Sequence, residues 1–130
     1  MTWTGGSKKA APKRVLIVDD DAAVAEVLAE HLNGAYAVDI VSNGIQALES
    51  VRQARPDLVL LDLNMPGLSG LDVLRRLRAM DARLPVLIVT GTSDDGLIRE
   101  TIRSGGFSYI RKPFSTKYLL HMVAAALGAR

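Results

Sequence analysis

The chain reads as an α/β domain, a doubly wound (βα)5 arrangement around five parallel strands. The first observation is four short apolar runs: Val15–Val18, Leu58–Leu61, Val86–Val89 and Phe107–Ile110. Each is too short for a helix, and each is followed by apolar residues at helical spacing. The second is that these runs are continuous rather than alternating. That marks strands covered on both faces, as parallel sheets with flanking helices are. The third is size: 130 residues, 48% hydrophobic and 23% charged, fit one soluble domain with a sizeable core.

The elements follow in order. Strand one ends on Asp19-Asp20-Asp21. Asp21 suits the N-cap of a helix over Ala22 to Leu32, with Val24, Val27, Leu28 and Leu32 on one face and Asn33-Gly34 as its stop. Strand two covers Ala37 to Val41. Helix two covers Gly44 to Ala54, with Ile45, Leu48 and Val51 inward and Pro56 just beyond. Strand three ends on Asp62. Helix three starts near Gly70, with Leu71, Leu74 and Leu77 at helical spacing. Strand four opens at Pro85 and ends on Thr90-Gly91-Thr92. Helix four covers Asp94 to Ser104, with Leu97 and Ile102 in the core, and Gly105-Gly106 ends it. Strand five ends on Arg111-Lys112-Pro113. Helix five runs from an N-cap at Ser115 to Leu127, apolar almost all round through Leu119, Leu120, Met122, Val123 and Leu127.

In an open parallel sheet all strand C-termini lie on one edge, where ligands bind. Asp19, Asp20, Asp62, Thr90 and Lys112 are therefore expected to converge from across the chain. Adjacent carboxylates at a strand end repel unless a cation is present, and a hard cation with oxygen ligands, Mg2+ or Ca2+, meets that need. A cap needs one carboxylate, not three. Carboxylates, a hydroxyl and an ammonium together suit a phosphoryl group handled with a divalent metal.

These residues carry a family resemblance. Val15-Leu16-Ile17-Val18-Asp19-Asp20, Leu61-Asp62-Leu63-Asn64-Met65-Pro66 with Gly70, Val89-Thr90-Gly91 and Tyr109-Ile110-Arg111-Lys112-Pro113-Phe114 resemble the receiver domains of two-component response regulators. Each motif is short, but four in order, each closing an apolar run, are specific. The resemblance covers residues 13 to 128, leaving 1–12 as a basic disordered tail. It implies the flavodoxin-like strand order 2-1-3-4-5.

The resemblance also assigns roles. Asp62 is the expected phosphoacceptor, attacking the phosphorus of a phosphohistidine. Mg2+ is expected on Asp20, Asp62 and the backbone carbonyl of Asn64, with Asp19 reached through water. Lys112 supplies fixed positive charge to a phosphoryl oxygen, and Lys112-Pro113 is expected to be cis. Thr90 gives the phosphoryl group a hydrogen bond, and Tyr109 rotates into the space Thr90 leaves, switching the face of helix four, strand five and helix five. Gly91 leaves the phosphoryl group open. Asn64 and Thr92, both uncharged, flank the path of the hydrolytic water.

Composition narrows the rest. No cysteine is present, so disulfides and thiolate metal sites are excluded. No apolar stretch approaches the roughly 20 residues of a membrane span, and residues 1–14 lack the apolar core of a signal peptide. A cytoplasmic protein is expected. The basic balance resides in the tail: without Lys8, Lys9, Lys13 and Arg14, twelve basic residues face fourteen acidic ones. A tail of Thr, Gly, Ser, Lys and Pro cannot bury apolar area. No direct nucleic-acid contact is expected.

Other classes compete. A Mg2+-dependent aspartyl phosphatase wants an acid two positions after its nucleophile, where Asn64 stands. A nucleotide-binding domain wants a glycine-rich turn where Asp19-Asp20-Asp21 stand. A docking or dimerisation module that is never phosphorylated would not need all five site residues. His31 and His121 lie within helices, away from strand ends. Expected partners are a histidine kinase or histidine phosphotransfer protein and a downstream effector, through a face carrying Arg99, Arg103, Arg111 and Lys117. Ser108, where dimerising members often place an acid, argues for a monomer or weak dimer. The protein is expected to be a signalling receiver that catalyses only its own phosphorylation and dephosphorylation.

Overall fold

The computed structural model describes residues 11–128. The expected disordered tail lies outside them except for Ala11 and Pro12. Strands β1 (Arg14–Val18), β2 (Ala37–Val41), β3 (Leu58–Leu61), β4 (Val86–Thr90) and β5 (Ser108–Arg111) alternate with helices α1 (Ala22–Leu32), α2 (Gly44–Gln53), α3 (Gly70–Met80), α4 (Asp95–Arg103) and α5 (Thr116–Gly128). The five strands pair in parallel in the order β2-β1-β3-β4-β5, as expected.

Alternation along β1 divides the core. Leu16 and Val18 enter the layer formed with α2 and α3, while Val15 and Ile17 enter the layer formed with α1 and α5. From β1 the chain winds first to β2 and then back to β3. Winding therefore reverses between β1 and β3, and a crevice opens at the strand tips there. Side-chain caps set the helix starts: Asp21, Asn43, Ser69 and Asp94 each accept from a first-turn amide. Ser115 Oγ accepts from Tyr118 N at 3.1 Å, as foreseen.

The helix faces depart from expectation by one position. In α1 the buried residues are Ala25, Leu28 and Leu32; Val24 is half-buried and Val27 exposed. In α2 they are Gly44, Ala47, Leu48 and Val51, while Ile45 is 63% exposed. The reason is close approach. A Cβ on Gly44 would sit 2.5 Å from Val73 Cγ2, so the small residues of α2, not Ile45, face α3. In α4 the buried pair is Ile98 and Thr101, whereas Leu97 is half-buried and Ile102 exposed. Thr101 is tolerated inside because its Oγ1 donates to Leu97 O at 2.8 Å.

Strand five also differs: of Phe107–Ile110 only Ile110 is buried, since β5 is an edge strand. In α5 the core residues are Leu119, Val123 and Ala126; Leu120 is exposed, and Met122 and Leu127 are half-buried. Strand β4 begins at Val86, one residue after Pro85.

At the edge opposite the crevice, Arg78 joins two turns. Its Nε and Nη2 donate to Gly105 O at 3.2 and 2.9 Å, and its Nη1 donates to Asp81 O at 3.0 Å. Gly105 has φ +113°, a left-handed backbone that favours glycine, and an added Cβ would lie 2.6 Å from Arg78 Nε and push that side chain aside. Burial pushes the Arg78 guanidinium pKa down.

Candidate functional site

The crevice is aligned by hydrogen bonds that continue the ladder one residue past each strand. Asp19 N donates to Val41 O at 3.2 Å, Asp62 N to Val18 O at 3.0 Å and Lys112 N to Thr90 O at 2.8 Å. Asp19, Asp62, Thr90 and Lys112 are thereby brought to one edge, as their positions in sequence imply. Asp20 joins them: one carboxylate oxygen from each of Asp19, Asp20 and Asp62 lies within 4.8 Å of the others.

Asp19, 2% exposed, is held on both sides. Its Oδ1 accepts from Asp21 N and its Oδ2 from Lys112 Nζ, both at 2.9 Å. Asp62, 5% exposed, is less well served. Lys112 Nζ stands 3.7 Å from its Oδ1, and that buried oxygen has no hydrogen-bond partner. Burial pushes the Asp62 pKa above its ordinary 3.8; Lys112 draws it down, Asp19 raises it, the Asn64 backbone amide lowers it and Asp20 raises it again. A buried carboxylate oxygen without a donor, beside two further carboxylates, calls for a cation. Three carboxylates and no nitrogen or sulfur ligand fit Mg2+.

The loop from Asp62 to Gly70 closes over this edge. Gly70 N donates to Leu63 O at 3.1 Å, and a Cβ at Gly70 would lie 2.3 Å from Asp62 O. Only a residue without a side chain lets α3 start so close. Asn64 is exposed on this loop.

Thr90, fully buried, accepts at Oγ1 from Thr92 N at 3.2 Å. Tyr109 pairs in register with Ile88, two residues before Thr90, so all three side chains share one face of the sheet. The Tyr109 ring is 38% exposed. Arg111 pairs with Thr90 and places its guanidinium carbon 6.0 Å from the Tyr109 ring centre. The Lys112-Pro113 bond is cis, as expected.

Three features escaped the sequence reading. Lys112 hydrogen-bonds Asp19 rather than Asp62. Arg111 contacts the loop after β4 as well as Tyr109. A groove of about 480 Å3 lies beside Lys112 between α1 and the start of α5, lined by Val24, Val27, His31, Pro113 and Phe114 among others. The sequence carries no separate signal for it, since Val24 and Val27 are both expected on the core face of α1. His31, in α1, meets Thr116 Oγ1 at 3.1 Å, and His121 lies in α5. Among the described residues no helix is long and apolar enough to cross a membrane.

A family model described as the response regulator receiver domain matches residues 15–124. The chain is 45% identical over 116 residues to the DNA-binding response regulator MtrA of Mycobacterium tuberculosis, covering 88% of this chain and 50% of that protein. It is 38% identical over 117 residues to response regulator MprA of Mycobacterium sp. (strain KMS), covering 89% and 51%. The chain thus spans about half the length of the curated relatives it matches. Among solved structures, the receiver domain of NtrX from Brucella abortus superposes with a TM-score of 0.85 at 27% identity, over 89% of this chain and 99% of that one. A CheY-like receiver domain protein from Methanospirillum hungatei JF-1 gives 0.86 at 26% identity, over 90% and 94%.

Proposed function

The chain belongs to the response regulator receiver domain family, and from that membership we propose that residues 13–128 accept a phosphoryl group from a phosphohistidine onto Asp62. One observation carries the reading. Asp62 is a buried carboxylate whose Oδ1 lacks a hydrogen bond, set beside two further carboxylates and 3.7 Å from the Lys112 ammonium.

In the proposed step a bond forms between an Asp62 carboxylate oxygen and phosphorus as the phosphorus–nitrogen bond to the donor imidazole breaks. Asp20, Asp62 and the Asn64 carbonyl would hold Mg2+, with Asp19 reached through water; the ion supplies charge neutralisation to the phosphoryl oxygens. Burial has already stripped most water from Asp62, which leaves a weakly solvated nucleophile. Lys112, anchored on Asp19, needs only a short swing to meet a phosphoryl oxygen. Gly91 is exposed and its missing side chain leaves the approach open.

Thr90 carries the output. Its hydroxyl donates to a phosphoryl oxygen present only after transfer, and Tyr109 turns from its exposed position into the space vacated. The α4–β5–α5 face then changes shape for a downstream effector protein or domain. The donor is a histidine kinase or phosphotransfer protein, the compartment is the cytoplasm, and the chain acts as a monomer or weak dimer. It turns over no other substrate and touches no nucleic acid directly.

Incubation with acetyl phosphate and Mg2+, followed by intact mass measurement, tests the proposal. One phosphoryl unit added to the wild type and absent from Asp62→Asn is expected. Steady hydrolysis of many phosphate esters would favour an aspartyl phosphatase instead. No uptake at any Mg2+ concentration would leave a docking module.

A further inference from the structure

The loop after β4 is tied at both ends of one residue. Thr92 N donates to Thr90 Oγ1 at 3.2 Å, and Thr92 O accepts from Arg111 Nη1 at 3.0 Å. The same guanidinium lies 3.5 Å from Asp95 Oδ1 in the first turn of α4 and 6.0 Å from the centre of the Tyr109 ring. A continuous chain of contacts therefore runs from the Thr90 hydroxyl through Thr92 to Arg111 and on to Tyr109. In this series of contacts Arg111 links the two proposed switch residues, Thr90 and Tyr109.

Resting on the receiver reading above, we infer that Arg111 is a positioning residue that latches the unphosphorylated state. It holds Tyr109 in its exposed position and the 90–95 loop at its present height. The argument is mechanical. When Thr90 turns toward a phosphoryl oxygen on Asp62, its Oγ1 moves relative to the Thr92 amide that donates to it. The loop must follow or lose that bond, and either way the Thr92 carbonyl shifts beneath Arg111. A guanidinium fork grips a carbonyl, a carboxylate and a ring face at once only in one arrangement, so displacing one contact loosens all three. Releasing the ring frees Tyr109 to turn inward. The Asp95 contact is exposed and weak by itself. The carbonyl bond and the ring contact give the latch its hold.

A latch favouring the resting state opposes phosphorylation, because a conformational preference lost on phosphoryl transfer is charged to that reaction. Removing it should ease uptake. Arg111→Ala changes an exposed side chain, so the fold should be kept, which circular dichroism checks. Two readouts decide. With acetyl phosphate and Mg2+, the initial rate of phosphoryl uptake should rise roughly threefold to tenfold, the factor expected for losing one exposed cation–ring contact with its partner bond. With fluorotyrosine incorporated, the Tyr109 signal, assigned through Tyr109→Phe among the chain's three tyrosines, should move before phosphorylation toward its beryllofluoride-bound position. Arg111→Lys, which keeps charge but not the fork, should fall between.

An unchanged rate together with an unmoved fluorine signal in Arg111→Ala would overturn the latch. If the wild type takes up no phosphoryl group, the receiver reading fails on its own account. The fluorine shift without phosphodonor then decides the latch separately.

Discussion

Lys112 gives its hydrogen bond to Asp19 and not to Asp62: its Nζ lies 2.9 Å from Asp19 Oδ2 and 3.7 Å from Asp62 Oδ1. The ammonium pins the tip of β5 to the tip of β1. It leaves the carboxylate proposed as phosphoacceptor with an oxygen that no donor serves.

Lys112→Met should therefore fail twice. Phosphoryl uptake should fall about 100-fold or more, the usual effect of removing one preorganised charge donor. Thermal and urea unfolding should show a loss of about 1–3 kcal/mol, because Asp19 keeps its buried charge without its cation. Unchanged uptake would remove Lys112 from the chemistry.

Asp62→Asn should abolish uptake yet stabilise the metal-free fold. It takes a poorly served charge out of the interior and away from Asp19 and Asp20, a gain on the order of 1–2 kcal/mol near neutral pH. Added Mg2+ should stabilise the wild type more than the variant, since the ion binds only the folded carboxylates. Urea midpoints of both proteins, with and without Mg2+, make the comparison. An equal Mg2+ effect would place the ion elsewhere.

Asp81 should supply part of the acid limb of stability. The Arg55 side chain donates to its carboxylate and Arg83 N donates to its Oδ1 at 2.9 Å, which holds its pKa below the ordinary 3.8. The folded state thus binds fewer protons than the unfolded state in that range. The contribution is complete above the unfolded value of 3.8 and is lost as pH falls through the depressed folded value. The Arg55 side chain is well exposed, so about 1 kcal/mol or less is expected. Urea midpoints followed toward acid pH should fall less steeply in Asp81→Asn than in the wild type.

Gly70→Ala should couple stability to activity. The new methyl would meet Asp62 O at 2.3 Å and Leu63 Cα at 2.6 Å, so either the loop or the start of α3 must move. Overpacking of this kind costs about 1–3 kcal/mol. It also displaces the residues meant to hold the ion, so Mg2+ affinity by titration calorimetry should drop while α-helical content stays the same. Unchanged Mg2+ affinity would show that the 62–70 loop does not hold the ion.

The sequence told most about the sheet. Strands buried on both faces must be written as unbroken apolar runs, and parallel connection puts their polar exits on one edge. For that reason the sequence alone puts Asp19, Asp62, Thr90 and Lys112 on one edge. It told less about the helices. A 3.6-residue period leaves a stripe about two positions wide, and its centre is set by what the neighbouring surface admits. Gly44 and Ala47 went inward while Ile45 stayed outside because α3 packs too closely for anything larger.

What the sequence determined alone, then, was the order of elements and which residue types stand at each strand exit, since burial writes itself directly into local composition. Tertiary structure decided the pairings among those residues: Lys112 with Asp19, Arg111 with Thr92 and Tyr109, Arg78 with the turn at Gly105. Each joins positions far apart along the chain or side chains with several reachable partners. Distances of a few ångströms between folded segments choose among such partners, and local sequence carries no record of them.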